Sequence, residues 1–478
     1  MSQHAKSESG MVAVSYTTLD DVEAAAARMR AYFATGATLP LQHRKEALRN
    51  LKAHLKANEE RILDALQLDL GKAHFEGYAT ELGLVYDEIN LCLKKMDAWA
   101  RPQRVHTPLM HFPSTSKVYA SPNGVVAVLS PWNYPVQLAL VPLVDAVAAG
   151  NCVALKASRT SAASSALLCD IIAAVFPPEF VCAFPGSGEM NDWLLEVRWD
   201  HICFTGSPAV GRTVMAAAAR HLTPVTLELG GKSPCIVDKT AKVSRAAQRI
   251  AWGKGINAGQ TCVAPDYFLV HEDVADTFVG QLEACFRQYY GDSALACDAW
   301  PRIISQRHFD RLCGLISNRN PAATIAFGGQ SDAHTCKIAP TCLRGITLED
   351  PVMNEEIFGP LVPVISYKTL DEAFDIVRHF EKPLAAYIFS EDKSVQQRFV
   401  HELDFGGATI NDVVIHIANN HMGFGGVGNS GMGAYHGKTG FDRFTHYKST
   451  LTKGTWLEVP VRNPPFGNKI KLLRRLMR

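Results

Sequence analysis

From residue 124 onward, short apolar runs of strand length alternate with longer stretches of helical periodicity. Val125-Val126-Ala127-Val128-Leu129 predicts a strand, Leu138–Ala149 a helix and Cys152-Val153-Ala154-Leu155-Lys156 a second strand. Ser161–Val175 reads as a helix, Phe180–Phe184 and His201-Ile202-Cys203-Phe204 as strands, Ala209–Arg220 as a helix and Val225-Thr226-Leu227 as extended chain. Strands that alternate with helices build βαβ units, so this stretch predicts a doubly wound α/β domain with a parallel sheet. A second α/β set starts near Ser233, with strands at Cys235-Ile236-Val237, Phe268-Leu269-Val270, Leu361–Ile365 and Ala386-Tyr387-Ile388, and helices at Val274–Tyr289 and Leu370–His379. Residues 20–70 are helical by the spacing of Leu48, Leu51, Leu55, Ile62 and Leu66, with Asp20 and Asp21 placed to cap and charge Val22–Phe33. Glu81–Trp99 is a further amphipathic helix, ended by Pro102 and Pro108. Residues 421–440 are so rich in glycine that they predict a loop.

The chain has 478 residues, too long for one core, so two or three domains are expected. Its formal net charge of +1 offers no overall field for nucleic acid, and no nucleic-acid partner is expected. Twelve cysteines are scattered without CxxC pairs or Cys/His clusters. This pattern predicts neither a metal site nor a disulfide framework and points to a reducing, cytoplasmic compartment. The polar Met1–Gly10 has no apolar core of a signal peptide, and no run approaches the ~20 apolar residues that span a bilayer. There is no internal repeat or low-complexity segment. The tail from Lys469 to Arg478 is basic and partly apolar; it reads as a solvated helix end or as a weak contact with a membrane surface.

Five segments carry candidate chemistry. Phe204-Thr205-Gly206-Ser207-Pro208 follows a strand and opens a helix, whose free N–H groups suit a pyrophosphate, although the glycine order is not GxGxxG. Ser130-Pro131-Trp132-Asn133-Tyr134-Pro135 stands at the carboxyl end of a strand, where such sheets bind ligands. Asn133 is either an amide donor to an oxyanion or a cap for the next helix. Cys262, within Gly259-Gln260-Thr261-Cys262-Val263-Ala264-Pro265, is a candidate nucleophile rather than a core thiol, because its surroundings are non-periodic and rich in small residues. Glu228, in Leu227-Glu228-Leu229-Gly230-Gly231-Lys232, is a candidate general base or a strand-end carboxylate bonded to backbone. In Glu355-Glu356-Ile357-Phe358-Gly359-Pro360, a carboxylate and a phenyl ring suit a ribose diol and a flat heterocycle, or form a solvated acidic turn.

Taken in order, these runs resemble an aldehyde dehydrogenase over nearly the whole chain. Leu70-Gly71-Lys72, Glu81-Leu82-Gly83 and Gly425-Gly426-Val427-Gly428-Asn429-Ser430-Gly431-Met432-Gly433 with Tyr435-His436-Gly437-Lys438 add to the match and point to the class 3 branch of aryl and fatty aldehyde dehydrogenases. The resemblance implies NAD- or NADP-dependent oxidation of an aromatic or medium- to long-chain aldehyde to a carboxylate. Cys262 is then the nucleophile, Asn133 with the Cys262 N–H the oxyanion hole, and Glu228 the base for the deacylating water. Gly206 and Ser207 meet the pyrophosphate, Lys156 the adenosine ribose, and Glu356 and Phe358 the nicotinamide ribose and ring. The family fold implies a Rossmann-like cofactor-binding domain over 1–105 and 127–229, with 420–440 returning to it, and an α/β catalytic domain over 230–419. A small β extension over 106–126 and 441–460 bridges a homodimer, and 461–478 is left as the basic tail.

One departure stands out. The family's Lys-Pro-Ser-Glu is here Lys156-Ala157-Ser158-Arg159, which exchanges a carboxylate at the adenosine ribose for a cation. Arg159 can pair with a 2′-phosphate, so NADP use is expected; if Arg159 points to solvent, NAD stays preferred. Release of the acyl group to coenzyme A, or loss of activity on a retained fold, are the competing readings, and an intact Cys262, Glu228 and Asn133 argues against both.

Overall fold

The computed structural model describes residues 18–476, so the polar Met1–Gly10 and the last two residues of the tail lie outside the described chain. Among the described residues, one sheet has six strands in the order Gly431–Met432, Val225–Leu229, His201–Gly206, Val125–Leu129, Cys152–Lys156 and Val181–Phe184. The last five are parallel. Val125–Leu129 and Cys152–Lys156 are buried at every position, as apolar runs covered on both faces require. The helix between them, Gln137–Ala149, is also buried at every residue and ends on Gly150 at φ 98°.

A second sheet of seven strands runs Thr324–Phe327, Thr341–Arg344, Leu361–Tyr367, Tyr267–His271, Pro234–Val237, Ala385–Phe389 and Gly407–Ile410, parallel except at its first pair. A third, antiparallel sheet joins Gln103–Val105, Ser114–Pro122 and Thr445–Lys453, with nine paired positions between the last two. It begins at Gln103, before the expected start at 106, while Val125 already belongs to the six-stranded sheet.

Two expectations change in detail. Thr18 is the N-cap residue of the first helix, Leu19–Ala34, while Asp21 closes the capping box by accepting from the Thr18 N–H (3.0 Å), and Asp20 and Asp21 charge its first turn as expected. Residues 421–440 are not simply loop. Gly431 and Met432 pair antiparallel with Glu228 and Leu227, and the helix Gly437–Arg443 begins inside the segment. Its glycines serve backbone approach rather than flexibility: a Cβ on Gly426 would lie 2.1 Å from the Ser430 carbonyl oxygen.

Candidate active site

A cavity of about 560 Å³ opens at the carboxyl ends of the parallel strands. Asn133, Gly206, Ser207, Cys262, Glu356 and Phe358 all line it, so most of the residues singled out above meet around one volume. Glu228, Lys156 and Arg159 do not line it.

The loop that presents Cys262 departs from regular structure. Asn257 and Ala258 both have positive φ (50° and 49°) and stand just ahead of it. Such backbone persists only when neighbours over-determine it. Gln260 does so here: its Nε2 donates to the carbonyls of Asn257 and Arg302 (both 3.0 Å), and its Oε1 accepts from the Ile304 N–H (3.0 Å). The Tyr134 hydroxyl meets Thr261 Oγ1 at 2.6 Å, and Tyr387 donates to the Val263 carbonyl at 2.5 Å. Cys262 itself is partly exposed. Burial, followed by the carboxyls of Glu356 and Glu228, pushes its thiol up to about 12, against the pull of the N–H groups of Cys262 and Val263. A thiol held so high is protonated at rest, and attack requires it to lose that proton.

Asn133 is fixed from two sides. Its Nδ2 donates to the Gln260 carbonyl (3.2 Å), leaving the second amide hydrogen for the cavity it lines. Its carbonyl accepts from Lys72 Nζ and Asn257 Nδ2 (both 2.9 Å). Lys72 pairs with Glu81 at 2.6 Å, both fully buried, and Glu81 Oε2 accepts the N–H groups of Val136 (2.8 Å) and Gln137 (3.2 Å). Glu81 thus satisfies the start of the helix Gln137–Ala149, and Asn133 is not its cap. Nothing in the sequence shows that these partners meet; only their presence in the quoted runs marked them. Lys72→Met leaves Glu81 buried without its counter-charge, which costs about 3–5 kcal/mol. A large drop in Tm by thermal unfolding is the expected result, whereas an unchanged Tm would remove the pair from the architecture of the site.

Glu228 stands in mid-strand, paired with Thr205 on one side and Gly431 on the other. Its side chain is 2% exposed and neither oxygen has a hydrogen-bond partner, so it is not a carboxylate tied to backbone. Burial holds it protonated far above the usual range, opposed by Arg443. Arg443 donates to Thr226 Oγ1 (2.7 Å) and to the Val225 carbonyl, on the same strand. The carboxyl is withdrawn from the cavity yet close enough to Cys262 to raise its thiol.

The remaining geometry fits a dinucleotide. Ser207 caps the helix Pro208–Ala219, accepting from the Val210 N–H (3.4 Å), so the first N–H groups of that helix face the cavity end. Glu356 lies where only a glycine lets it: a Cβ on Gly230 would fall 1.9 Å from its Oε2. Burial and then Asp266 push Glu356 up to about 8, against the Gly231 N–H and Lys232. Phe358 stands edge-on to Trp132 at 5.4 Å, and Trp132 also meets His308 at 5.3 Å. Trp132 thus packs against Phe358 and His308 where all three line the cavity, and sequence reasoning missed His308. Tyr134 packs with Leu138 and Ile256 in a small apolar cluster of its own.

Lys156 ends the strand beside Val125–Leu129, its carbonyl accepting from Ser130 N–H (3.1 Å) and Oγ (3.0 Å). It therefore neighbours the Asn133 loop without reaching the cavity. Burial, then Arg159, lowers its ammonium to about 8. Arg159 is exposed beside Gly188, where a Cβ would sit 2.9 Å from its Nη1.

Residues 3–450 match the Aldehyde dehydrogenase family. The chain is 43% identical over 445 residues to 4,4'-diaponeurosporen-aldehyde dehydrogenase of Staphylococcus aureus, covering 93% of this chain and 96% of that protein. It is 43% identical over 426 residues to the dimeric NADP-preferring aldehyde dehydrogenase of Rattus norvegicus, covering 89% and 93%. A solved structure of Staphylococcus aureus AldH in a substrate-bound state superposes with a TM-score of 0.94 at 42% identity, over 96% of this chain and 99% of that one. The chain belongs to the aldehyde dehydrogenase family and oxidises aldehydes with NAD or NADP.

Proposed function

We propose that Cys262 attacks the aldehyde carbon, that Asn133 and the Cys262 N–H hold the resulting oxyanion, and that Glu228 is the base of the hydrolytic half. The observation that carries this reading is the single cavity shared by Cys262, Asn133, Glu356, Phe358 and the Ser207 helix start. Attack by the thiolate gives a thiohemiacetal whose negative oxygen faces the Asn133 amide and the main chain. The nicotinamide, when bound, accepts the hydride. Loss of that hydride leaves a thioester on Cys262. Glu228 then takes a proton from water as its oxygen adds to the thioester, and collapse expels the Cys262 thiolate and frees the acid. Glu356 and Phe358 orient the nicotinamide ribose and ring, Gly206 and Ser207 the pyrophosphate, and Lys156 and Arg159 the adenosine end. The test is the appearance of reduced cofactor from benzaldehyde and from aldehydes of increasing chain length, with and without coenzyme A. Formation that requires coenzyme A overturns hydrolytic release, and no formation with any aldehyde overturns the assignment.

The substrate in this reading is an aromatic or medium- to long-chain aldehyde. The enzyme is a cytoplasmic homodimer, a state supported by the twelve free cysteines and by the rat relative's description as dimeric. The six-stranded sheet belongs to the cofactor-binding domain, the seven-stranded sheet to the catalytic domain, and the three-stranded sheet to the bridge between subunits.

Arg159 supplies the 2′-phosphate contact that favours NADP. A charge-assisted hydrogen bond is worth about 1.5–3 kcal/mol, so Arg159→Glu is expected to lower kcat/KM for NADP relative to NAD by roughly tenfold to a hundredfold. Equal ratios in the variant and the parent would show that the guanidinium points to solvent.

The tail supplies a weak membrane contact. Lys469–Leu476 is a basic helix, its Ile470, Leu472 and Leu473 are exposed, and Trp456 and Phe466 nearby are exposed as well. Such a helix suits an anionic bilayer surface. Co-sedimentation with phosphatidylserine vesicles at low salt is expected, falling with added salt and with removal of residues 465–478; equal recovery with neutral vesicles overturns the contact.

A further inference from the structure

The loops that carry Cys262 and Asn133 are tied together by one residue. Asn257 Nδ2 donates to the Asn133 carbonyl (2.9 Å) and to the Gln260 carbonyl (3.0 Å), and Asn133 Nδ2 donates to the same Gln260 carbonyl (3.2 Å). Asn257 is fully buried and holds φ 50° and ψ 30°, with Ala258 next at φ 49°. A left-handed alanine is costly, so the chain keeps this path only while its surroundings fix it. The amide side chain of Asn257 accounts for two of those ties. Its main-chain N–H, buried with the rest of the residue, needs an acceptor of its own. That acceptor is Glu76 Oε1, at 2.7 Å, from a residue 181 positions earlier in the chain.

Glu76 belongs to a segment that the site already uses. The short helix His74–Gly77 passes into a single π turn, Tyr78–Leu82, a distortion that clusters at functional sites. Lys72 and Glu81 flank Glu76 in this segment. Lys72 holds the Asn133 carbonyl, and Glu81 holds Lys72 and the N–H groups of Val136 and Gln137. Residues 72–81 therefore grip both loops, Lys72 and Glu81 on the Asn133 side and Glu76 on the Cys262 side. Glu76 is half-buried. Burial pushes its carboxyl up to about 7, against Lys72 and the Asn257 N–H. Protonated or ionised, the carboxyl keeps a lone pair for that N–H.

We propose that Glu76 is a positioning residue for the first half of the reaction: by accepting the Asn257 N–H it locks the left-handed start of the cysteine loop, and so sets Cys262 against its oxyanion donor Asn133. The inference rests on Cys262 and Asn133 in the roles given above. Glu76 does not line the cavity and acts through Asn257. Removing its carboxyl leaves a buried N–H without that acceptor beside two residues in left-handed backbone, and the loop is then free to shift. A displacement of about 1 Å at a reacting group costs on the order of a hundredfold in rate.

The test compares Glu76→Ala with Glu76→Gln in the full-length enzyme. Glutamine keeps an acceptor oxygen at the same reach and removes the charge. Single-turnover mixing with aldehyde, the cofactor limiting, reads the rate of hydride loss directly. Glu76→Ala is expected to lower that rate about tenfold to a hundredfold, and Glu76→Gln to stay within about threefold of the parent. Hydrogen exchange of the peptide spanning 255–262, followed by mass spectrometry, should quicken in Glu76→Ala and not in Glu76→Gln. An unchanged rate in Glu76→Ala overturns the proposal, as does unchanged exchange in that peptide. Glu76→Gln as slow as Glu76→Ala overturns the acceptor role. Exchange that quickens throughout the chain shows a general structural role and overturns the positioning. A parent enzyme that reduces no cofactor fails the earlier reading, while the exchange still decides whether Glu76 holds the loop.

Discussion

Glu228→Gln is expected to give one burst of reduced cofactor per active site and then almost stop. The amide keeps the size of the side chain and removes its basicity. Thiohemiacetal formation and hydride loss do not use Glu228, so the first half of the cycle survives. Water then has no acceptor for its proton, and turnover should fall by about 10²–10⁴-fold. Mass spectrometry of the stalled protein should find the acyl group on Cys262, and Cys262→Ala should form neither the adduct nor any burst. Normal turnover in Glu228→Gln would transfer the role of base to another group. The buried, partnerless state of Glu228 also sets the sign of the pH response. Burial raises its carboxyl, and burial with neighbouring carboxyls raises the Cys262 thiol to about 12, so both reactive forms grow as pH rises.

Asn133→Ala is the second large effect, and it strikes the other half. Removing one oxyanion donor typically costs about 10²–10³-fold in kcat. The loss should fall on the burst itself, because the thiohemiacetal oxygen is the first to need the amide. The Lys72–Glu81 pair and Asn257 hold the Asn133 main chain, so the loop should keep its shape without the side chain. Stopped-flow burst rates, compared with Tm, separate a lost donor from a collapsed loop. An unchanged burst rate would leave the oxyanion to the backbone N–H alone.

The five parallel strands of the six-stranded sheet were legible because both their faces are covered, which forces unbroken apolar runs such as Val125–Leu129. The reactive residues were legible through their motifs, and the cavity unites Cys262, Asn133, Ser207, Glu356 and Phe358. What holds them was not. Gln260 looks like a spacer in the sequence, yet it ties Asn257, Arg302 and Ile304 together, and two of those lie more than forty residues away. Lys72 and Glu81 likewise meet only through the fold. Residues 421–440 misled for a related reason: glycine marks both turns and close backbone contact, and composition does not distinguish the two. The withdrawal of Glu228 from the cavity depends on strand register, which no local pattern encodes.

Gly431 closes the ladder beside Glu228, although about two hundred residues separate them along the chain. A polypeptide still on the ribosome can therefore finish most of the six-stranded sheet, and expose its cysteine loop, before the far wall of the base exists. The strand neighbour that walls in the base is thus among the last parts of the chain to be made.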